Sequence, residues 1–245
     1  MTVEAIALAA LFFAAAVLYA SVGHAGASAY LAAMALFGVA PEVMRPTALV
    51  LNLFVASIVV IRFSLAGHLP WRQLLPLVVG SIPAAFLGGG VELPGELYRP
   101  LVAAVLLAGA YRLATAGSNP DRVATGVPIV AGIVSGATIG FLAGLTGTGG
   151  GIFLTPLLVL AGWTSTRDAA GLSGAFILVN SVAGLAGLLT GAFTLPPGLP
   201  LWIGAVVAGG LIGSWLGAAR FSILGLRRAL SVVLVLAAAK LVFFP

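Results

Sequence analysis

Gly147-Thr148-Gly149-Gly150-Gly151 lies at the junction of two apolar runs, residues 124–146 and 149–162. Gly23-His24-Ala25-Gly26 lies in the same way between residues 3–22 and 25–40. Glycine weakens a helix interior and accepts backbone conformations that other residues avoid. We therefore expect each stretch to end a long helix and to begin a short one. Residues 23–26 are called the first break below, and residues 147–151 the second break.

The composition places these helices in a membrane. Of the 245 residues, 61% are hydrophobic and 7% are charged, whereas a soluble domain is about a quarter charged. Glu4 stands where a signal peptide would carry Lys or Arg, so the first apolar run is interpreted as a helix of the mature protein. The predicted fold is all-α and polytopic, with ten apolar segments at residues 3–22, 25–40, 46–64, 72–90, 99–116, 124–146, 149–162, 168–190, 198–218 and 227–244.

The order of features recurs along the chain. Gly23 falls on Gly147 when the chain is shifted by 124 residues, and a slightly larger shift places Gly80 on Gly209. We interpret this as two five-segment membrane repeats, residues 1–116 and 124–245, joined by a polar connection, residues 117–123. An odd number of spans per repeat inverts the second repeat relative to the first, as in many secondary transporters.

The basic residues favour a particular topology. If all ten segments span, eight Arg lie on one side of the membrane, against Arg45, Arg99 and Lys240 on the other. If the two short segments are re-entrant, the division becomes five against six and the bias disappears. Because cytoplasmic loops are enriched in Lys and Arg, we expect ten spans with both termini on the periplasmic side. The scattered basic residues form no run that would bind nucleic acid.

Little of the chain suits catalysis. It has no Cys, no His or carboxylate spacing typical of a metal site, and no nucleophile, base and acid arranged as a catalytic set. The second break lacks the Gly-Lys-Ser/Thr of a nucleotide-binding loop. We therefore predict no catalytic residue, no metal and no enzyme activity.

The two glycine breaks indicate a binding site for an anion. A helix that begins inside the membrane presents unpaired N–H groups and the positive end of its dipole, which together bind anions. The competing interpretation is that the glycines serve helix packing alone and that the hydroxyls are interhelical hydrogen bonds. The predicted substrate-binding residues are Gly23, His24, Ala25, Gly26, Ser28, Thr47, Ser57, Gly147, Thr148, Gly149, Gly150, Gly151, Ser173 and Ser181.

Single polar residues carry further expectations. His24 is the proton-coupling candidate, since its charge changes near neutral pH; the alternative is a surface turn histidine. His68 is expected to be exposed, and Arg45, which precedes Pro46, is expected at a helix start near the membrane surface. Asn52 and Asn180 are expected to hold helices together, with substrate contact as the alternative.

At these residues the chain resembles the sulfite exporter TauE/SafE family of small bacterial membrane proteins. The resemblance rests on Tyr19-Ala-Ser-Val-Gly-His-Ala-Gly-Ala-Ser28 with Pro46-Thr-Ala-Leu49, and on Gly140-Phe-Leu-Ala-Gly-Leu-Thr-Gly-Thr-Gly-Gly-Gly151 with Gly171-Leu-Ser-Gly-Ala175. It implies export of sulfite, sulfoacetate or other organosulfonates across a bacterial inner membrane, without a bound cofactor.

The function predicted from residues and resemblance together is secondary transport of a small anion by alternating access. A passive anion channel, a non-transporting assembly subunit and a membrane-embedded enzyme are the alternatives. The expected partners are the anion and the lipid bilayer, and a homo-oligomer is left open.

Overall fold

The computed structural model describes residues 3–115, 124–191, 193–218 and 224–243, which form ten α-helices. The helices are α1 (Val3–Ser21), α2 (Ala27–Leu36), α3 (Pro41–Leu65), α4 (Trp71–Gly90), α5 (Gly95–Thr115), α6 (Ile129–Thr146), α7 (Gly151–Leu160), α8 (Thr166–Leu188), α9 (Leu199–Ala218) and α10 (Leu224–Phe243). Each corresponds to one predicted apolar segment, and the all-α, polytopic fold is confirmed. The polar connection at residues 117–123 lies outside the described residues.

Six helices, α1, α3, α4, α6, α8 and α9, are long and apolar enough to cross a membrane. The helices α2 and α7 have ten residues each. At 1.5 Å per residue such a helix is about 15 Å long, roughly half the hydrocarbon thickness. The expectation that all ten segments cross therefore stays a prediction, in which each short helix crosses only together with its break.

Helix α3 begins at Pro41, five residues earlier than its predicted start at residue 46. Proline is well tolerated in the first helical turn, where its missing N–H has no intrahelical partner, and Pro41 occupies that position. The predicted start is later because the sequence pattern places Glu42 in the connection before the helix and Arg45 at the helix start. The structure places both residues within the helix.

Two parallel helix pairs pack backbone against backbone through glycine. In α6, glycine recurs every fourth residue, and a Cβ added at Gly136 would lie 2.1 Å from the Leu77 carbonyl oxygen of α4. In α9, a Cβ added at Gly213 would lie 2.1 Å from the Val17 carbonyl oxygen of α1. Small residues permit this close approach in membranes, where the hydrophobic effect does not drive helices together.

The glycines aligned by the repeat occupy matching places in these pairs. A Cβ added at Gly80 would meet the backbone of Ala137 in α6, and one added at Gly209 would meet the backbone of Phe13 in α1. Phe13 and Ala137 are themselves 124 residues apart. Helices α1 and α6 are therefore related by the shift that superimposes the two breaks, and α4 and α9 by the slightly larger shift that places Gly80 on Gly209.

The packed units do not follow the sequence halves, because α4, α9 and α10 each pack with helices of the other half. One buried apolar cluster joins α1, α2, α3 and α9 with α5 and α10, and includes Ile177 of α8. A second cluster joins α4, α6, α7 and α8. These sets are called the first body and the second body below. They meet where α3 packs against α8.

The outer surface of α4 is apolar. Its exposed large residues are Leu75, Val79, Ile82 and Phe86, which recur at helical spacing along one face. The opposite face is buried against α6 and α8. Such a helix is covered by protein on one side and suits lipid on the other.

Candidate functional site

Both breaks lie where the glycine pattern predicts them. Gly26 precedes α2 with φ of 103°, and Gly150 precedes α7 with φ of 84°. Both angles fall in the left-handed region that favours glycine. Neither helix has a side-chain cap, so the first N–H groups of each helix lack an intrahelical acceptor.

The surroundings of the two helix starts differ. A Cβ added at Gly26 would lie 2.9 Å from the ring of Tyr30, whose hydroxyl donates to the Ala25 carbonyl oxygen at 2.5 Å. The beginning of α2 is therefore covered by an aromatic side chain of the same helix. At the second break, a Cβ on Gly149 would lie 2.9 Å from the Asn52 amide nitrogen and 3.3 Å from the Ser181 hydroxyl. The beginning of α7 is thus the more polar of the two.

His24 joins the first break to the second. Its Nδ1 lies 3.1 Å from the Val22 carbonyl oxygen, and its Nε2 lies 3.1 Å from the Gly151 carbonyl oxygen. Nε2 also lies 3.0 Å from the Thr155 hydroxyl, which lies 2.6 Å from the Ser173 hydroxyl. A chain of polar contacts therefore leads from the first break through α7 to α8.

The protonation state of His24 decides the direction of this chain. A neutral imidazole carries one N–H, so if Nδ1 donates to Val22, Nε2 accepts from the Thr155 hydroxyl. An imidazolium donates at both nitrogens, and Thr155 then turns its hydrogen toward Ser173. One proton on His24, in the first body, thus reorders hydrogen bonds of α7 and α8 in the second body.

Asn52 of α3 and Ser181 of α8 form a second polar contact between the bodies. The Asn52 amide nitrogen donates to the Ser181 hydroxyl at 3.3 Å. Asn180 shares a helical face with Ile177, which packs on the second break. Among the described residues, neither the Asn52 amide oxygen nor either polar atom of the Asn180 amide has a hydrogen-bond partner, although both side chains are fully buried.

Several predicted site residues bond locally. The Ser57 hydroxyl donates to the Leu53 carbonyl oxygen of its own helix at 2.7 Å. Ser28 contacts the Tyr19 hydroxyl at 2.6 Å, and Thr148 contacts the Thr146 hydroxyl at 2.9 Å. The hydroxyl of Thr47 is fully buried and has no partner among the described residues.

Arg45 lies near the start of α3, as expected, but its side chain is buried by protein, with 6% of the residue exposed. The guanidinium donates to the carbonyl oxygens of Gly144, Val91 and Gly88 at 2.9, 2.9 and 2.7 Å, and also to that of Gly89. These oxygens lie at the C-terminal ends of α6 and α4, whose partial negative charge favours a cation. The sequence pattern could not indicate this, because the acceptors are backbone groups distant along the chain.

His68 is also less free than expected. Its Nδ1 lies 3.1 Å from an Asp168 carboxylate oxygen, and about a third of each side chain is exposed. Asp168 stands in the first turn of α8, whose N-cap is Ser165. This pair lies at the opposite end of α8 from Leu188. Among the described residues, no group of three or more His, Asp or Glu side chains gathers as metal ligands would.

Comparisons with known proteins agree with this architecture. The family model described as sulfite exporter TauE/SafE matches residues 8–241. A protein of Sinorhizobium fredii (strain NBRC 101917 / NGR234), named "Probable membrane transporter protein y4hK", is 40% identical over 247 residues, covering 99% of this chain and 100% of the relative. No solved structure matches the chain. With a match over nearly its whole length, the chain belongs to the sulfite exporter TauE/SafE family of membrane transporters.

Proposed function

We propose that the protein is a secondary transporter that exports small anions, namely sulfite, sulfoacetate or other organosulfonates, by alternating access. It lies in a bacterial inner membrane with both termini in the periplasm. Residues 1–116 and 124–245 are its two inverted repeats, joined by residues 117–123. The sulfur chemistry of the substrate follows from family membership alone.

The observation that carries the proposal is the position of the α7 N-terminus. It lies between His24 of the first body and the Asn52–Ser181 contact of α3 with α8. The first N–H of α7 that bonds within the helix is that of Phe153, which donates to the Gly150 carbonyl oxygen. The preceding N–H groups of Gly151 and Ile152 have no intrahelical acceptor and would bind the oxyanion. Binding at this position desolvates no Lys or Arg side chain, and burying such a charge inside a membrane costs much free energy.

In this proposal, the first body and the second body move relative to each other during transport. The polar contacts that cross between them include those of His24 with α7, Asn52 with Ser181, Arg45 with α4 and α6, and the Tyr98 hydroxyl with the Thr146 carbonyl oxygen. Each body has its own apolar cluster, and the bodies meet along the α3–α8 contact, where Ile177 of α8 joins the first cluster. Rocking one body against the other changes the packing along this contact. Helices α4, α9 and α10 move with the body in which they are packed.

The test is sulfite uptake and release by the purified protein in liposomes, with and without a pH gradient. We expect saturable flux that responds to the gradient. Replacing His24→Ala should lower the flux at least about tenfold, equivalent to about 1.4 kcal/mol, and should abolish the response to the gradient. His68→Ala is the matched control, since it removes the other histidine of the chain, whose ring contacts Asp168 at the start of α8.

The alternatives give different results. Flux that neither saturates nor responds to a proton gradient would indicate a passive anion channel. Absence of flux for sulfite and organosulfonates, in folded protein that purifies with a stable partner, would indicate a non-transporting subunit. Gradient-driven flux that persists in His24→Ala would support transport but contradict a role of His24 in proton coupling.

A further inference from the structure

A cavity of about 450 Å³ opens at the end of the molecule that carries Glu42 and Glu92. Its volume falls within the range of roughly 300–1,000 Å³ that is typical of small-molecule sites. Arg45 and Tyr98 also line it. It contains residues of α3, α5 and the end of α8, so it lies over the junction of the two bodies.

Arg45 separates this cavity from the second break. A Cβ added at Gly147 would lie 3.0 Å from the Arg45 carbonyl oxygen and 3.2 Å from its Cγ. The same residue lines the cavity. At this point, Arg45 therefore stands between the open cavity and the second break.

The bonds of Arg45 close the junction between the bodies. Arg45 belongs to α3 of the first body, and all four of its acceptors belong to α4, α6 and the residue after α4, in the second body. None of the described carboxylates forms a salt bridge with it. By donor count, four of its five N–H groups are used, and one N–H of Nη1 has no acceptor among the described residues.

The chemistry of these bonds allows exchange with an anion. The guanidinium's bonds to the carbonyl oxygens are charge-assisted through the donor, but these acceptors carry only the partial charge of a helix end. A sulfite or sulfonate oxygen carries formal negative charge and therefore also attracts the guanidinium electrostatically. An oxyanion that passes from the second break to the cavity passes Arg45, which contacts Gly147 and lines the cavity. Binding there replaces the contacts that hold α3 to α4 and α6.

We infer that Arg45 is the gate of the transport path on the Glu42 side and its second anion-binding position, and that the 450 Å³ cavity is the vestibule beyond it. This inference rests on the proposed transport function for the identity of the anion. The other end of the path is built differently. There the corresponding glycine of the first break, Gly23, packs on Ala170, which offers no cation.

The absence of Cys from the natural chain permits a direct test. Ser181→Cys places a single thiol beside Gly149, in a fully buried position. A membrane-impermeant maleimide is applied from the Glu42 face, in spheroplasts or inverted vesicles as the orientation requires. We expect slow labelling with Arg45 present and labelling at least about tenfold faster in the Arg45→Ala background, because the Arg45 side chain no longer stands between the cavity and the second break.

Lys240→Ala is the matched control. Lys240 also donates to a helix-terminal carbonyl oxygen, that of Leu36, at 2.6 Å, but this bond joins α10 to α2 within the first body. Its loss should leave the labelling rate of Ser181→Cys unchanged. Arg45→Gln, which keeps a planar donor group but is uncharged and two bonds shorter, replaces Arg45→Ala if the alanine variant does not fold, and it should also accelerate labelling.

Equal labelling rates with and without Arg45 in folded protein, judged by elution volume and melting temperature, would overturn the inference. So would acceleration by Lys240→Ala, since that would indicate general loosening. The labelling needs no substrate, so its result is independent of the flux assay. Accelerated labelling without sulfite flux would support Arg45 as the gate and would contradict sulfite as the substrate. Sulfite flux together with labelling that does not depend on Arg45 would support the substrate and contradict the gate.

Discussion

At the scale of single residues, the polar contacts between bodies are few and each has a distinct chemical character. His24 can change its proton count, the Asn52–Ser181 contact is neutral, and Arg45 is permanently charged. The break glycines were predictable because their local effect on the backbone depends on residue type alone. Thr155 was missed because its role depends on His24, 131 residues away, and no local pattern marks such a partner.

Alanine substitutions at Gly149 and Gly67 distinguish the effect of backbone strain from the effect of crowding by neighbouring side chains. Both have left-handed φ, 73° and 76°, but a Cβ at Gly149 would lie 2.8 Å from Ile177 and 2.9 Å from Asn52, whereas nothing lies within 4 Å of one at Gly67. Each alanine variant should lose about 1–2 kcal/mol of stability from the backbone. Only Gly149→Ala should also lower sulfite flux, by more than about tenfold.

Melting temperature and flux of the two variants check this prediction. Equal flux in Gly149→Ala and Gly67→Ala would show that the second break tolerates a methyl group and does not contact the substrate.

At the scale of helices, hydropathy and glycine spacing were sufficient to locate every element, because each membrane helix must satisfy its own backbone hydrogen bonds. The start of α3 could not be located in the same way. Its charged residue Arg45 is satisfied by α4 and α6, and such tertiary compensation has no signature within α3 itself. Likewise, the exchange of α4 and α9 between the halves depends on packing that the order of segments does not reveal.

The α4–α6 contact should be sensitive to a single methyl group. Gly136→Ala forces the two backbones apart, since its Cβ would lie 2.1 Å from a carbonyl oxygen of α4; overpacking of this kind costs about 1–3 kcal/mol. Gly204→Ala in α9 is the control, because nothing lies within 4 Å of its added Cβ. That variant should be neutral or more stable by up to about 1 kcal/mol.

Thermal unfolding in detergent measures both variants. A Gly136→Ala protein that melts no earlier than Gly204→Ala would contradict the close packing of α4 and α6.

At the scale of the whole molecule, the number of crossings fixes the sides on which the termini lie. Single-thiol variants of the natural Cys-free chain can report this at the exposed positions Glu4, Leu65 and Phe243. With ten crossings, Glu4→Cys and Phe243→Cys should react with an impermeant maleimide from the periplasm. Leu65→Cys should react from the cytoplasm.

Labelling of the two termini from opposite faces would require an odd number of crossings. One of the helices would then be re-entrant, and the two repeats would no longer be inverted copies with the same number of spans.

The unequal ends of the transport path have an energetic consequence. Opening the junction at Arg45 breaks four hydrogen bonds, whereas separating Gly23 from Ala170 breaks van der Waals contact. Since each hydrogen bond to a charged group contributes about 1.5–3 kcal/mol net, we expect the two open conformations to differ in free energy before any anion binds. In the proposed mechanism, the empty protein would open more readily toward the Ala170 side and would bind its anion from that compartment. In the same mechanism, binding of the anion to the Arg45 guanidinium would lower the free-energy barrier to its release on the Glu42 side.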